Sequence, residues 1–184
     1  MLTQDGHGAP HPYSKREQGR RLLWFLCRIF LFHTVPRQVR GWHARLLRLF
    51  GAQVGAGGTI HSSARIAMPW NLKMGDHCVL GERVELYNLG PVTIGNHTVI
   101  SQRAVLCAGS HDYTIRTMPL LRLPIVIGSG CWICAEAFVG PNVTVGDGTV
   151  VGARSVVTRS LPPHMVCAGN PCRPLKERRI KDDD

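Results

Sequence analysis

The chain has 184 residues, with 22 Lys+Arg against 12 Asp+Glu and a formal net charge of +10. That length fits one domain with a short appendage, and 44% hydrophobic against 18% charged residues excludes wholesale disorder. Its 20 glycines and 12 prolines speak for many turns and against a long helical bundle, while 7 cysteines in so long and aliphatic a chain fit the reduced thiols of a cytoplasmic protein.

In chain order, residues 1–19 read as a mobile polar arm. Residues 20–33 predict a short helix. Its apolar stretch Leu22 to Phe32 is interrupted by Arg28 and falls short of the roughly 20 residues that span a bilayer. No small-residue cleavage site follows it. A second helix is predicted over about 38–50, with Val39, Trp42, Leu46 and Phe50 on one stripe and Gly51 as its stop. These two segments are expected to cap one end of the domain. Before residue 51, nine basic residues against two acidic ones give a charge of +7. A second basic group, Arg173, Lys176, Arg178, Arg179 and Lys181, lies near the end. Such patches attract phosphate in nucleic acid, lipid headgroups or a phosphorylated cofactor.

After Gly51 an aliphatic residue recurs every six: Val54, Ile60, Ile66, Leu72, then, after a slip of two, Met74, Leu80, Leu86. A second slip leads to Ile94, Ile100, Leu106, and the run Ile127, Ile133, Val139, Val145, Val151, Val157 is unbroken. This period matches neither a helix nor a free-standing strand. It matches a chain that makes a short strand, turns a corner and repeats, with one aliphatic per side pointing inward. Three sides close a coil, and coils stack at about 4.8 Å. The predicted fold is all-β, a parallel β-helix over 51–161, with the tail 162–184 covering or edging its far end. An ordinary β-sandwich would space its strands at about 8–12 residues.

From Leu106 to Ile127 are 21 residues where six would keep phase, so a loop is extruded over 109–124. It carries Ser110-His111-Asp112-Tyr113. Long excursions from a rigid scaffold are candidates for function.

The hexapeptide repeats, the looped-out histidine, the run IVIGSGCWIC and the ending VVGARSVVTRSLPPHMVCAGNPCRPLK resemble the hexapeptide-repeat acyltransferases. The similarity is to the maltose, galactoside and nodulation-factor acetyltransferase branch. VELYNLGPVTIG, ISQRAVLCAGSHDYT and AGNPCRP are most like its colanic-acid-biosynthesis type. The resemblance implies a left-handed β-helix, a homotrimer with active sites between neighbouring columns, acetyl-CoA as donor and a saccharide hydroxyl as acceptor, without a metal. It implies His111 as general base. An imidazole with a reference pKa of about 6.5 can take the proton of a hydroxyl near neutral pH. Trp132 matches the tryptophan that lines the pantetheine channel. Ala135, Ala153 and Thr158 match positions where the cofactor approaches the wall. Arg173 and Lys176 match the basic pair that meets its phosphates. Cys134 stands where the family has glycine. On the acceptor side, Tyr87 and Asn88 form an unusual polar pair; Asn88 reads either as a ligand of the sugar or as a turn residue. Asp112 either contacts the acceptor or pins the loop.

Cys131 and Cys134 have the spacing of half a zinc site, but both fall at small-residue positions of the repeat and read as structural thiols. His61, His77 and His97 read as corner residues and His164 as a tail residue. No nucleic-acid module is visible. The basic N-terminal helices either contact the inner face of a membrane or pack as a cap with solvated arginines. A carbonic anhydrase-like metalloenzyme, a non-catalytic scaffold, and acetylation of serine or an amino sugar are the alternatives.

Overall fold

The computed structural model describes residues 13–32, 34 and 41–180. Residues 1–12 of the expected arm, the expected start of the second helix with Val39, and Lys181 lie outside them. The six-residue period folds into stacked coils of three short strands each. The first coil is Gln53–Val54, Thr59–Ile60 and Arg65–Ile66, and the fifth is Val143–Val145, Val150–Val151 and Val156–Val157. Stacking produces three sheets of five, seven and five strands, parallel from coil to coil. The register lays Met74, Ile94, Ile127 and Val145 above Val54 on the first face. Ile60, Leu80, Ile100, Ile133 and Val151 make the second ladder. Ile66, Leu86, Leu106, Val139 and Val157 make the third. From Ile60 onward every one of these is at most 6% exposed. Each such side chain contributes about 1.5–3 kcal/mol through burial.

The corner between the first and second faces demands a left-handed backbone. Gly57, His77, His97, Gly130, Gly148 and His164 occupy it in successive coils with φ from 55 to 68°. Gly57 and Gly148 are glycines for a second reason: a Cβ there would come within 2.3 and 2.5 Å of the His77 and His164 rings. His164 therefore sits at the corner of a further partial coil and continues the column, where a tail residue was expected. His77 and His97 stack on each other at 5.0 Å. Just inside this corner the small positions of the repeat bond to the next coil. Cys78 Sγ, Thr98 Oγ1, Cys131 Sγ and Thr149 Oγ1 donate to the carbonyls of Gly95, Gly128, Gly146 and Pro162 at 2.9, 2.7, 3.1 and 2.7 Å. Cys78 and Cys131 are buried, and their thiols are engaged in these bonds.

Both slips and the long interruption fall at one corner, between the third and first faces. The oversize turns therefore stack along a single edge of the column. Helix α1 (Lys15–Cys27) runs along this edge and continues into a π-helical turn, Arg28–Phe32. It begins inside the segment expected to be arm, because Ser14 Oγ accepts from the Glu17 N–H and caps it. Trp24 Nε1 donates to the Ile66 carbonyl at 2.7 Å, and the Arg20 guanidinium lies 4.1 Å over Trp70. Helix α2 (Trp42–Leu49) covers the N-terminal end and buries His43, Leu46 and Leu47; of the expected stripe, Leu46 is buried and Phe50 packs against the core, while His43 and Leu47 were not expected. Its Arg48 donates to the carbonyls of Val54 and Gly55 at 2.8 and 2.7 Å. Only α2 is thus a cap in the expected sense; α1 is a brace along the side.

The tail edges the second face. Met165–Gly169 adds a parallel strand beside Val150–Val151, and Cys172–Glu177 returns antiparallel. Arg178 donates to the carbonyls of Gly130 and Gly148 at 2.7 and 2.8 Å, which stitches the tail to the corner column. Among the described residues no helix is long and apolar enough to cross a membrane.

Candidate active site

The extruded segment is a hairpin in which Gly109–His111 pairs antiparallel with Leu120–Arg122. Its tip is held by Asp112, whose Oδ1 accepts from the Thr114 N–H at 2.9 Å and the Thr114 hydroxyl at 2.6 Å. These two donors hold the Asp112 carboxyl below the usual carboxylate range. Of the two roles expected for Asp112, its bonds are those of pinning the loop. They do not reach His111.

His111 Nδ1 lies 2.6 Å from the Met118 carbonyl, across the hairpin tip. A carbonyl only accepts, so the neutral ring carries its proton on Nδ1 and keeps the Nε2 lone pair for another partner. At the foot of the hairpin, Arg122 donates to both carboxylate oxygens of Glu17 on α1, at 2.9 and 3.3 Å. The Tyr13 ring lies 4.8 Å from the same guanidinium. No sequence spacing signals this clamp, because its charged partners are 105 residues apart.

Tyr87 ends the strand Glu85–Tyr87 and is 42% exposed. A Cβ on Gly109 would meet its ring at 3.1 Å, so the ring rests against the hairpin's foot. Burial pushes the Tyr87 hydroxyl up. Asn88 is different: it is fully buried. Its Oδ1 accepts from the Met68 N–H at 2.9 Å and its Nδ2 donates to the Met68 carbonyl at 2.6 Å. Asn71 Nδ2 in turn donates to the carbonyls of Asn88 and Leu89 at 3.2 and 2.8 Å. The ligand reading of Asn88 is therefore corrected. The side chain clasps two oversize corners together and presents nothing to an acceptor.

The residues expected on the donor side lie elsewhere on the column. Trp132 stands on the outer side of the second face, 47% exposed, with Nε1 donating to Ser101 Oγ at 2.8 Å. Ala135 and Ala153 stack at the corner between the second and third faces, where the Arg154 N–H donates to the Ala135 carbonyl at 2.9 Å. Half-buried Cys134 precedes them, its thiol pushed up by burial. Thr158 is exposed at the end of the third face, on the side from which the hairpin leaves. Arg173 and Lys176 are exposed on the returning tail strand. Within one chain, His111 springs from the corner opposite the face that carries Trp132. A single column does not bring them together. Among the described residues no three His, Cys, Asp or Glu side chains cluster to hold a metal ion.

A triangular column of hexapeptide coils with one extruded histidine hairpin defines a class of transferase fold. The family model described as bacterial transferase hexapeptide (six repeats) matches residues 124–159. WcaF of Escherichia coli (strain K12), named as a colanic acid biosynthesis acetyltransferase, is 48% identical over 97% of this chain and 98% of its own. Galactoside O-acetyltransferase of the same strain is 28% identical over 99% of this chain and 87% of its own. In fold, the chain matches a hexapeptide-repeat acetyltransferase of Vibrio cholerae O1 biovar eltor, solved with acetyl coenzyme A, with a TM-score of 0.81, 20% identity and 95% of each chain covered. A galactoside acetyltransferase solved with coenzyme A gives a TM-score of 0.76 at 22% identity, covering 94% of this chain and 90% of that one. The chain belongs to the hexapeptide-repeat acetyltransferases, and its column is the left-handed parallel β-helix that the resemblance implied.

Proposed function

We propose that the protein transfers an acetyl group from acetyl-CoA to a hydroxyl of a saccharide, in exopolysaccharide or glycolipid synthesis on the cytoplasmic side. The observation that carries this reading is the His111 to Met118 bond, which leaves a basic Nε2 on the extruded hairpin. In the reaction, Nε2 takes the proton of the acceptor hydroxyl while the oxygen attacks the thioester carbonyl carbon. The tetrahedral oxyanion then collapses, the C–S bond breaks, and the imidazolium returns its proton to the departing thiolate. Base catalysis of this kind contributes about 10²–10⁴ in rate, with positioning supplying much of the rest.

The donor would lie along Trp132, Ala135, Ala153 and Thr158, with Arg173 and Lys176 on its phosphates. Because His111 and Trp132 occupy opposite sides of one column, a homotrimer in which one chain's hairpin reaches its neighbour's second face completes the site. Tyr87, exposed at the foot of the hairpin, would meet the acceptor. The names of the relatives support the acetyl-transfer reading, and the two neighbours solved with acetyl coenzyme A or coenzyme A support the choice of donor.

The test is release of free thiol from acetyl-CoA against a panel of sugars. His111→Ala is expected to keep the trimer and acetyl-CoA binding and to lose turnover by about 10²–10⁴. Retained turnover would remove His111 from the mechanism. Arg173→Ala is expected to weaken acetyl-CoA binding more than it slows saturated turnover.

A further inference from the structure

We propose that the outward face of α1 and of the π-helical turn after it is a membrane-docking surface, which lays this segment flat in the headgroup region of an anionic bilayer.

The segment is inside out for a helix braced on a soluble column. Three of its four arginines lie against other side chains of the protein: Arg20 is 4.1 Å over Trp70, Arg21 is 3.9 Å over Tyr13, and Arg28 sits within electrostatic reach of Arg65 and Glu85. Only Trp24 and Phe32 of the large apolar side chains are buried. The rest of that set is exposed, led by Phe30 at 67%, Leu22 at 61% and Leu23 at 60%, with Phe25, Leu26, Ile29 and Leu31 completing it. A soluble surface rarely leaves seven such side chains on one short segment without a partner. The 13 helical and 5 π-helical residues extend about 27 Å, and the apolar stretch is too short to span, so it suits the plane of an interface.

Charge selects the occupant. Lys15 and Arg16 are exposed in the first turn of α1, and Arg45 is exposed on neighbouring α2. Anionic headgroups complement that charge, whereas a second copy would set two such segments against each other. The clamp between Glu17 and Arg122 then has a consequence: docking of α1 fixes the height of the His111 hairpin above the lipid. The docking itself goes beyond the acetyl-transfer reading, since it is measured with neither donor nor acceptor.

The test is flotation of the full chain with vesicles. Binding to phosphatidylcholine vesicles containing about 30 mol% phosphatidylglycerol is expected to be about tenfold tighter than to phosphatidylcholine alone, and to weaken with salt. The triple variant Leu22→Ser, Phe25→Ser, Phe30→Ser is expected to lose about tenfold or more of that binding, with the mass in solution and thiol release on a soluble acceptor unchanged. Wild-type protein that ignores anionic vesicles would overturn the proposal. So would a triple variant that binds as before, or one whose mass in solution falls, which would make the face a contact between subunits. If the triple variant does not fold, Lys15→Glu with Arg16→Glu takes its place. Loss of binding to anionic vesicles then supports the proposal and retention overturns it.

Discussion

His111 and Met118 face each other across the tip of the extruded hairpin, with the ring Nδ1 2.6 Å from the main-chain carbonyl. The contact serves two ends, since it closes the hairpin and sets the imidazole tautomer. A variant that keeps the first and removes the second separates them. In His111→Asn the side-chain amide can still donate to Met118, but no basic nitrogen remains. The hairpin is expected to keep its protection in hydrogen exchange while turnover falls by about 10²–10⁴, read as thiol release at saturating acetyl-CoA. Loss of protection together with turnover would make the histidine structural.

The clamp at the other end of the hairpin gives a second expectation. Arg122 and Glu17 are 31% and 19% exposed, and their contact is bidentate, so it outweighs an ordinary surface pair. Arg122→Ala is expected to cost about 1–2 kcal/mol in urea unfolding and to lower turnover several-fold while leaving acetyl-CoA affinity unchanged. Glu17→Ala is expected to match it, and the double variant to be little worse than either. Additive losses would mean that the two side chains act separately.

The column was legible because its signal repeats: Ile60, Leu80, Ile100 and Ile133 each announce the same position, so local accidents average out. The slips were legible as breaks in phase, and the hairpin as the largest break. The course of α1 was not legible, since it depends on Trp24 meeting the Ile66 carbonyl and Glu17 meeting Arg122. No spacing encodes pairs so far apart. Asn88 misled for a different reason. A polar side chain at an oversize corner gives the same sequence signal whether it clasps the backbone or awaits a ligand, and only its burial decides. The Nδ1 tautomer of His111 was beyond reach as well, because it rests on the main chain of Met118, which any residue would supply.

Asn88 carries the third expectation. Both ends of its amide are bonded to Met68 in a site closed to water. Asn88→Ala would leave the buried Met68 N–H without a partner and take one of two donors from the Met68 carbonyl, which keeps the Asn71 N–H, at about 1–3 kcal/mol. Asn88→Asp keeps the acceptor and loses the donor, and is expected to destabilise as well, through a buried charge. Melting temperature should fall in both, while the surviving folded protein keeps its affinity for acceptor. A selective rise in acceptor KM with unchanged stability would restore the ligand reading.

The last expectation concerns the thiols. Burial pushes Cys167 up to about 11 from its ordinary 9.0, and neighbouring Cys172 adds to the shift. The same cause raises Cys78 and Cys131, with nearby donors opposing it in part. Folded protein therefore holds these protons at a pH where the unfolded chain releases them. Below about pH 9 both states are protonated and the thiols add no slope; as pH rises from there toward 11, the unfolded state is increasingly favoured and stability declines. The urea midpoint is expected to fall across that window, and less steeply in Cys167→Ala. At about pH 8 a thiol reagent should leave Cys78, Cys131 and Cys167 unmodified in the native protein and modify them after denaturation. Fast labelling of Cys131 in folded protein would contradict its bond to the Gly146 carbonyl and reopen the reading of Cys131 and Cys134 as reactive or ligating groups.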